Sequence, residues 1–267
     1  MSSLWYPSVK QAPLSMGGMG GLAGSTTFAQ GVCFGEGGSN YYDGNDATQI
    51  SGSGADAFEL NSSTFCIECY VMFKTDSYPN TYRSIWHRWG NTGMRCQTHS
   101  RKFGDNNFGI YCWFSGESGS NLTFSIENLF DPFMDKWYHL AWVRSGTGSN
   151  EFRVYCNGTS VYQNTLNLLQ TDQNDEPLAW GGREDVSNYD SVQYLSNCRW
   201  VVGNSVYGTG SSTISVPKTL LTAVSGTKFL GMQSTTDANA GTCPSNTTIS
   251  TKRGSPTPSD INPMCAF

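Results

Sequence analysis

The chain has 267 residues, of which 14% are charged and 13% aromatic, with 30 glycines and a formal net charge of −5. That length suits one large β-domain. The charged fraction falls well below the average of about 25%, which argues against many surface helices, and no run of Lys or Arg exists to neutralise a row of phosphates, which sets nucleic acid aside as a partner.

Residues 1–30 read as an anchoring arm. The start around Trp5, Tyr6 and Pro7 has neither the basic nor the apolar segment of a signal peptide, so the expectation is synthesis in a cytosol without export. Leu14 is followed by the stretch Met16-Gly17-Gly18-Met19-Gly20-Gly21. Gly-rich chain is costly to order, so an ordered arm would be held by a neighbour, with Trp5, Tyr6, Pro7 and Leu14 as the candidate contacts. Residues 31–267 read as one β-sandwich, in which 203–267 form a closing extension rich in Gly, Ser and Pro.

Near the start of that sandwich, Asp43, Asn45 and Asp46 offer oxygen atoms suited to calcium. A tight turn wants the same residues, because Asp-Gly and Asn tolerate positive φ. Further on, Phe65, Ile67, Cys69 and Val71 alternate with Cys66, Glu68 and Tyr70, the period of a strand. Residues 108–114 and 122–127 read as a hairpin around a Ser/Gly turn. Residues 136–144 are apolar on both faces, as in a central strand between two layers. Residues 151–156 lead into Asn157-Gly158, a hairpin signal, and Val161-Tyr162 start the return. Leu178-Ala179-Trp180 and residues 194–202 follow, and Thr227–Met232 could close a sheet edge. Short strands at regular spacing imply an all-β, two-sheet antiparallel sandwich of jelly-roll type.

Nine cysteines, an odd number in a chain without an evident export signal, point to free thiols. Cys66 and Cys69 have knuckle-like spacing, but three positions apart on a strand they face opposite ways and cannot grip one ion. His139, inside the 136–144 strand, reads as a packed or hydrogen-bonded core histidine.

The sequence Trp86-His87-Arg88-Trp89 places two indoles and two donors in four residues, a candidate patch for a sugar ring or a partner aromatic. Trp180, Arg183 and Asp185 form a second candidate contact edge. The competing reading for the tryptophans is core packing. A glucan-cleaving site would need two carboxylates projecting into one cleft; the spacing from Glu127 to Asp131 is wrong for this, and Glu184 and Asp185 are adjacent. The expectation is a binding protein, with no catalytic residues.

The segments Phe65–Val71, Lys136–Arg144 and Val154–Gly158, with the aromatic-Asp-Gly turn at Tyr42-Asp43-Gly44, resemble the laminin-G/concanavalin A-like family. That likeness spans residues 32–202 and implies a concanavalin A-like jelly roll that binds surface carbohydrate, with no cofactor expected unless calcium, an ion that lectin-like members often use. Residues 195–207, 220–227 and 229–234 are similar to modules in virion structural proteins of marine tailed phages. This second likeness implies a multicopy particle protein of capsid-decoration or head-fibre type, bound to other virion proteins through its arm. Its alternative is a tail-fibre or receptor-binding protein contacting host glycan, and the second alternative is a glycan hydrolase.

Overall fold

The computed structural model describes residues 37–74, 82–88, 95–104, 107–115, 121–130, 135–167, 176–183 and 190–263. The arm contacts Trp5, Tyr6, Pro7 and Leu14, together with Trp89 and Asp185, lie outside these residues. Apart from a four-residue 3-10 turn at Ala55–Phe58, every regular element among the described residues is a strand. None of the described helices is long and apolar enough to cross a membrane.

In chain order the strands are β1 (Ser39–Asp43), β2 (Ala47–Ser51), β3 (Phe65–Phe73), β4 (Arg83–Arg88), β5 (Arg95–Gly104), β6 (Asn107–Ser115), β7 (Asn121–Phe130) and β8 (Trp137–Arg144). They continue with β9 (Phe152–Cys156), β10 (Thr159–Asn164), β11 (Leu178–Trp180), β12 (Val192–Val202), β13 (Thr227–Gly231), β14 (Gly241–Thr242), β15 (Thr248–Arg253) and β16 (Thr257–Ser259). Among the described residues they form two antiparallel sheets. The first runs β10-β9-β8-β3-β12-β1-β16, with β13 and β14 continuing from β12. The second runs β15-β2-β11-β4-β5-β6-β7. The chain is therefore a two-sheet antiparallel jelly-roll sandwich, as the periodicity predicts.

Sequence chemistry accounts for the local choices. Asn157 and Gly158 both take positive φ, 48° and 83°, which is what a two-residue turn between twisted strands demands, and they join β9 to β10. β12 bulges between Ser196 and Arg199. There Asn197, at φ 52°, accepts hydrogen bonds through Oδ1 from the Leu221 amide and Gln233 Nε2. The bulge lets one strand pair with β1 and β3 and also with β13.

The interior between the sheets is aromatic. Trp86 of the second sheet meets Trp142 and Trp200 of the first edge-to-face, with ring centroids 5.3 and 5.4 Å apart. Such pairs add about 0.5–1.5 kcal/mol each beyond the area they bury. At the open edge Phe124 of β7 stacks on Tyr162 of β10 at 3.8 Å, bridging the two sheets. Arg144 is buried at the end of β8, where its guanidinium donates to the carbonyls of Ser63, Leu166 and Leu60. Burial holds that guanidinium down at about 10, and the carbonyls meet the demand of a buried cation for partners.

β3 and β8 are buried on both faces. Their inner side joins the main core. Their outer side lies under residues 203–224, which pack Val206, Tyr207, Ile214, Val216, Leu220 and Val224 against it. Cys69 belongs to the inner core and Cys66 to the outer cluster, the opposition expected from strand period. Among the described residues the cysteines are free thiols. His139 Nε2 lies 3.1 Å from Glu68 Oε2, a buried and hydrogen-bonded histidine.

Candidate functional site: the outer face of the second sheet

Alternation sorts the second sheet into two faces. Ile50, Trp86, Cys96, Cys112, Phe114, Phe124, Leu178 and Trp180 point into the core. The intervening residues therefore face outward: Gln49 on β2, His87 on β4, Gln97, His99 and Arg101 on β5, Tyr111 and Trp113 on β6, and Thr123 and Ser125 on β7. The register aligns them in rows. Gln97 pairs with His87 and with Trp113, which pairs with Thr123. One step along, His99 pairs with Tyr111 and Tyr111 with Ser125.

The two ends of this face differ. Over β2, β4 and the start of β5 the side chains are buried, His87 completely and His99 nearly so. Both His87 ring nitrogens and Gln97 Oε1 lack a hydrogen-bond partner. Burial, then the positive charge of Arg183, drives His87 down to about 3, so it is a neutral imidazole. His99 is pushed down by burial, then by His87 and Arg183. Toward β6 and β7 the face opens. Arg101, Tyr82, Tyr111 and Trp113 are half-buried, and Thr123 and Ser125 are exposed. Tyr82 packs against Tyr111 with centroids 4.9 Å apart. Aromatic flanks beside exposed hydroxyls can stack on the C–H face of a sugar ring and hydrogen-bond its edges.

The contact patches expected from sequence divide accordingly. Trp86 and Trp180 are core residues with no exposed surface, which corrects their assignment as contact groups. For Trp86 the physical reason is a register shift in β4 between Ser84 and Trp86, with both Ile85 and Trp86 in the core; Trp180 pairs directly opposite Trp86 and so shares its face. Arg88 is also fully buried and sits opposite the inward Cys96, so it too is not a surface contact. His87 does face outward but is covered, and Arg183 is largely buried near it. The residues that do line the open strip, Tyr82, Arg101, Tyr111 and Trp113, were not among the expected contacts. The alternation of Tyr111 and Trp113 with Ile110, Cys112 and Phe114 was the signal for two of them.

Asp43, Asn45 and Asp46 form a turn. Asp46 Oδ2 accepts the Asp43 amide at 2.9 Å and its Oδ1 the Ser255 amide at 2.6 Å, while Asp43 Oδ1 accepts the Asn45 amide at 3.0 Å. Backbone N–H groups thus bond both oxygens of Asp46 and one of Asp43, which is the turn chemistry expected of these residues, and no cluster of three or more His, Cys, Asp or Glu able to hold a metal occurs among the described residues.

The laminin G 3 family model, described as the concanavalin A-like lectin/glucanases superfamily, matches residues 36–195. No curated protein matches the chain. Among solved structures, a native heptameric SAP-like pentraxin from Limulus polyphemus is similar at 13% identity and TM-score 0.42, over 64% of this chain and 77% of that one. The binding domain of Paraclostridial Mosquitocidal Protein 1 is similar at 16% identity and TM-score 0.36, over 50% of this chain and 32% of that one. A native glycosidic hydrolase is similar at 13% identity and TM-score 0.24, over 60% of this chain and 62% of that one. Likenesses this distant say nothing about ligand or assembly.

Proposed function

Because the chain belongs to the concanavalin A-like lectin/glucanase superfamily, we propose that it is a carbohydrate-binding protein whose ligand lies along β5, β6 and β7 on the outer face of the second sheet. The observation that carries this reading is the half-buried aromatic strip of Tyr82, Tyr111 and Trp113 beside the exposed Thr123 and Ser125. Half-buried aromatics expose a stacking face while packing holds their rotamers, which lowers the entropy lost on binding. Binding is favoured over hydrolysis because a glycosidase needs a pair of carboxylates flanking the bond. β5, β6 and β7 contain Glu127 alone, and its Oε2 accepts Asn107 Nδ2 at 2.8 Å.

Titration of the full chain against immobilised oligosaccharides tests this. Trp113→Ala should weaken binding by tenfold or more with an unchanged far-ultraviolet spectrum, consistent with about 1.5 kcal/mol or more for one stacking contact. Wild-type affinity retained in that variant would remove the strip from the site, and released reducing ends would replace binding with hydrolysis.

A second reading concerns where the protein works. The phage-like segments at 195–207, 220–227 and 229–234 fall on neighbouring elements: β12, the strap of residues 203–224 packed on the first sheet, and β13. The likeness of these segments to virion modules is what supports a particle protein displaying the sandwich in many copies, where weak glycan contacts gain strength through multivalency. Immunolabelling of intact virions, with loss of label on deleting residues 1–30, tests the attachment.

A further inference from the structure

Arg101 is a cation on the open strip that sugar stacking alone does not use. Its guanidinium carbon lies 4.6 Å from the centroid of the Tyr82 ring and 5.0 Å from that of Phe103, and its Nη1 donates to the Tyr82 hydroxyl at 2.8 Å. Tyr82 is itself packed against Tyr111 at 4.9 Å and His99 at 5.7 Å. Two rings and a hydrogen bond therefore fix the plane of a group that is ordinarily free to rotate. Among the described residues no carboxylate pairs with it, and its Nε and Nη2 have no acceptor. Glu127, the one acidic residue on β5 to β7, is bonded by Asn107 instead.

The position of this cation matters as much as its orientation. Arg101 pairs across the ladder with Gly109, a buried position where a Cβ would lie 1.9 Å from the Ile126 carbonyl oxygen, so β6 sets no side chain directly beside the guanidinium. Tyr111 stands one same-face step further along β6, about 7 Å away on strand geometry. A fixed planar fork of donors thus lies about one step from an aromatic flank. A planar fork matches the two oxygens of a carboxylate, which it can bind bidentately.

We propose that the saccharide taken by this face is acidic, a uronate whose carboxylate is bound by the free edge of Arg101 while its ring stacks on Tyr111 or Trp113. This deepens the carbohydrate-binding reading and rests on it. The attraction is local, since the chain as a whole is net negative and the screening length in physiological salt is about 8 Å.

The test titrates the full chain with oligogalacturonate and oligomannuronate, with the carboxyl-reduced form of each, and with a sulfated dextran oligomer, all at one ionic strength. Wild type should bind a uronate oligomer at least tenfold tighter than its reduced form. Arg101→Gln should bring the two to the same affinity, Arg101→Lys should restore only part of the preference, and Trp113→Ala should weaken both forms. Equal affinity for charged and reduced oligomers, a preference for the sulfated chain, or a uronate preference that survives in Arg101→Gln overturns the proposal. If wild type binds both forms equally and Trp113→Ala weakens both, the acidic ligand is wrong and the binding face stands. If no oligomer binds, both fail. Far-ultraviolet spectra and thermal midpoints of the variants separate these outcomes from misfolding.

Discussion

His87 shows how burial turns an ordinary residue into a pH-dependent one. Its neutral form is the one the fold accepts, because burial and the neighbouring Arg183 both disfavour charge and hold it near 3, against about 6.5 in an unfolded chain. The group binds its proton more weakly when folded. Its contribution to stability is therefore complete above about pH 6.5 and is lost as pH falls toward 3. One such histidine costs about 2 kcal/mol between pH 6.5 and pH 5. His99 pulls in the same direction. His87→Gln should therefore reduce the loss of stability between pH 7 and pH 5 by about that amount, read from urea midpoints at the two values. Equal losses in wild type and variant would show that His87 binds its proton in the fold as it does in the unfolded chain. Burial also explains why His87 was hard to place from sequence. Alternation puts it on the outer face, but nothing in Trp86-His87-Arg88-Trp89 reveals a bulge that turns Trp86 inward.

At the scale of elements, legibility followed apolar alternation. β3, β8 and β9 announce themselves because their inner residues, such as Ile67, Leu140 and Val154, are large and apolar. β5 does not, since between the strand ends its inward positions Cys96, Thr98 and Ser100 are small or polar, and Thr98 lies 3.4 Å from the Cys112 thiol instead of filling space. With β5 unread, the pairing that aligns Arg101 with Gly109 and His99 with Tyr111 could not be read either, and the open strip stayed hidden. β14, β15 and β16 are short, and the exposed and half-buried residues of β15 and β16 give no period. Turns were the opposite case. Asn157-Gly158 was legible because its chemistry is local, and the structure adds a tertiary demand: a Cβ on Gly158 would lie 2.6 Å from the Ile214 carbonyl oxygen. Gly208 also has positive φ, 74°, but open space around it. Gly208→Ala should then cost about 1 kcal/mol, the conformational term alone, while Gly158→Ala should cost at least about 1 kcal/mol more because the strap at Ile214 must shift. Equal costs in chemical denaturation would mean that the strap gives way freely.

For the molecule as a whole, the consequential feature is a third layer over the first sheet. The family model stops at residue 195, and the strap beyond it covers Glu68, a carboxylate with no exposed surface. Burial alone would push Glu68 up, but the hydrogen bond and charge of His139, the charge of Arg199 and the Tyr207 hydroxyl outweigh it and hold it at about 2. Arg199 donates to Oε1 through Nε at 2.9 Å and Nη2 at 2.5 Å. Tyr207, from the strap, donates to Oε2 at 2.6 Å, and Arg199 Nη1 reaches the strap carbonyl of Thr222 at 2.8 Å. One carboxylate thus ties β3, β8, β12 and the strap together. Removing one partner of such a network leaves another charge buried and unpaired, which costs more than the pair contributes. Glu68→Gln should destabilise the chain by about 3–5 kcal/mol, chiefly by stranding Arg199. Tyr207→Phe, which removes one charge-assisted hydrogen bond, should cost about 1.5–3 kcal/mol. If the strap is an integral layer, both variants should unfold in a single transition with lowered midpoint and unchanged urea dependence. A Tyr207→Phe protein of wild-type stability, or an early transition in which the strap leaves while the sandwich remains, would show that the first sheet keeps its outer face dry without it.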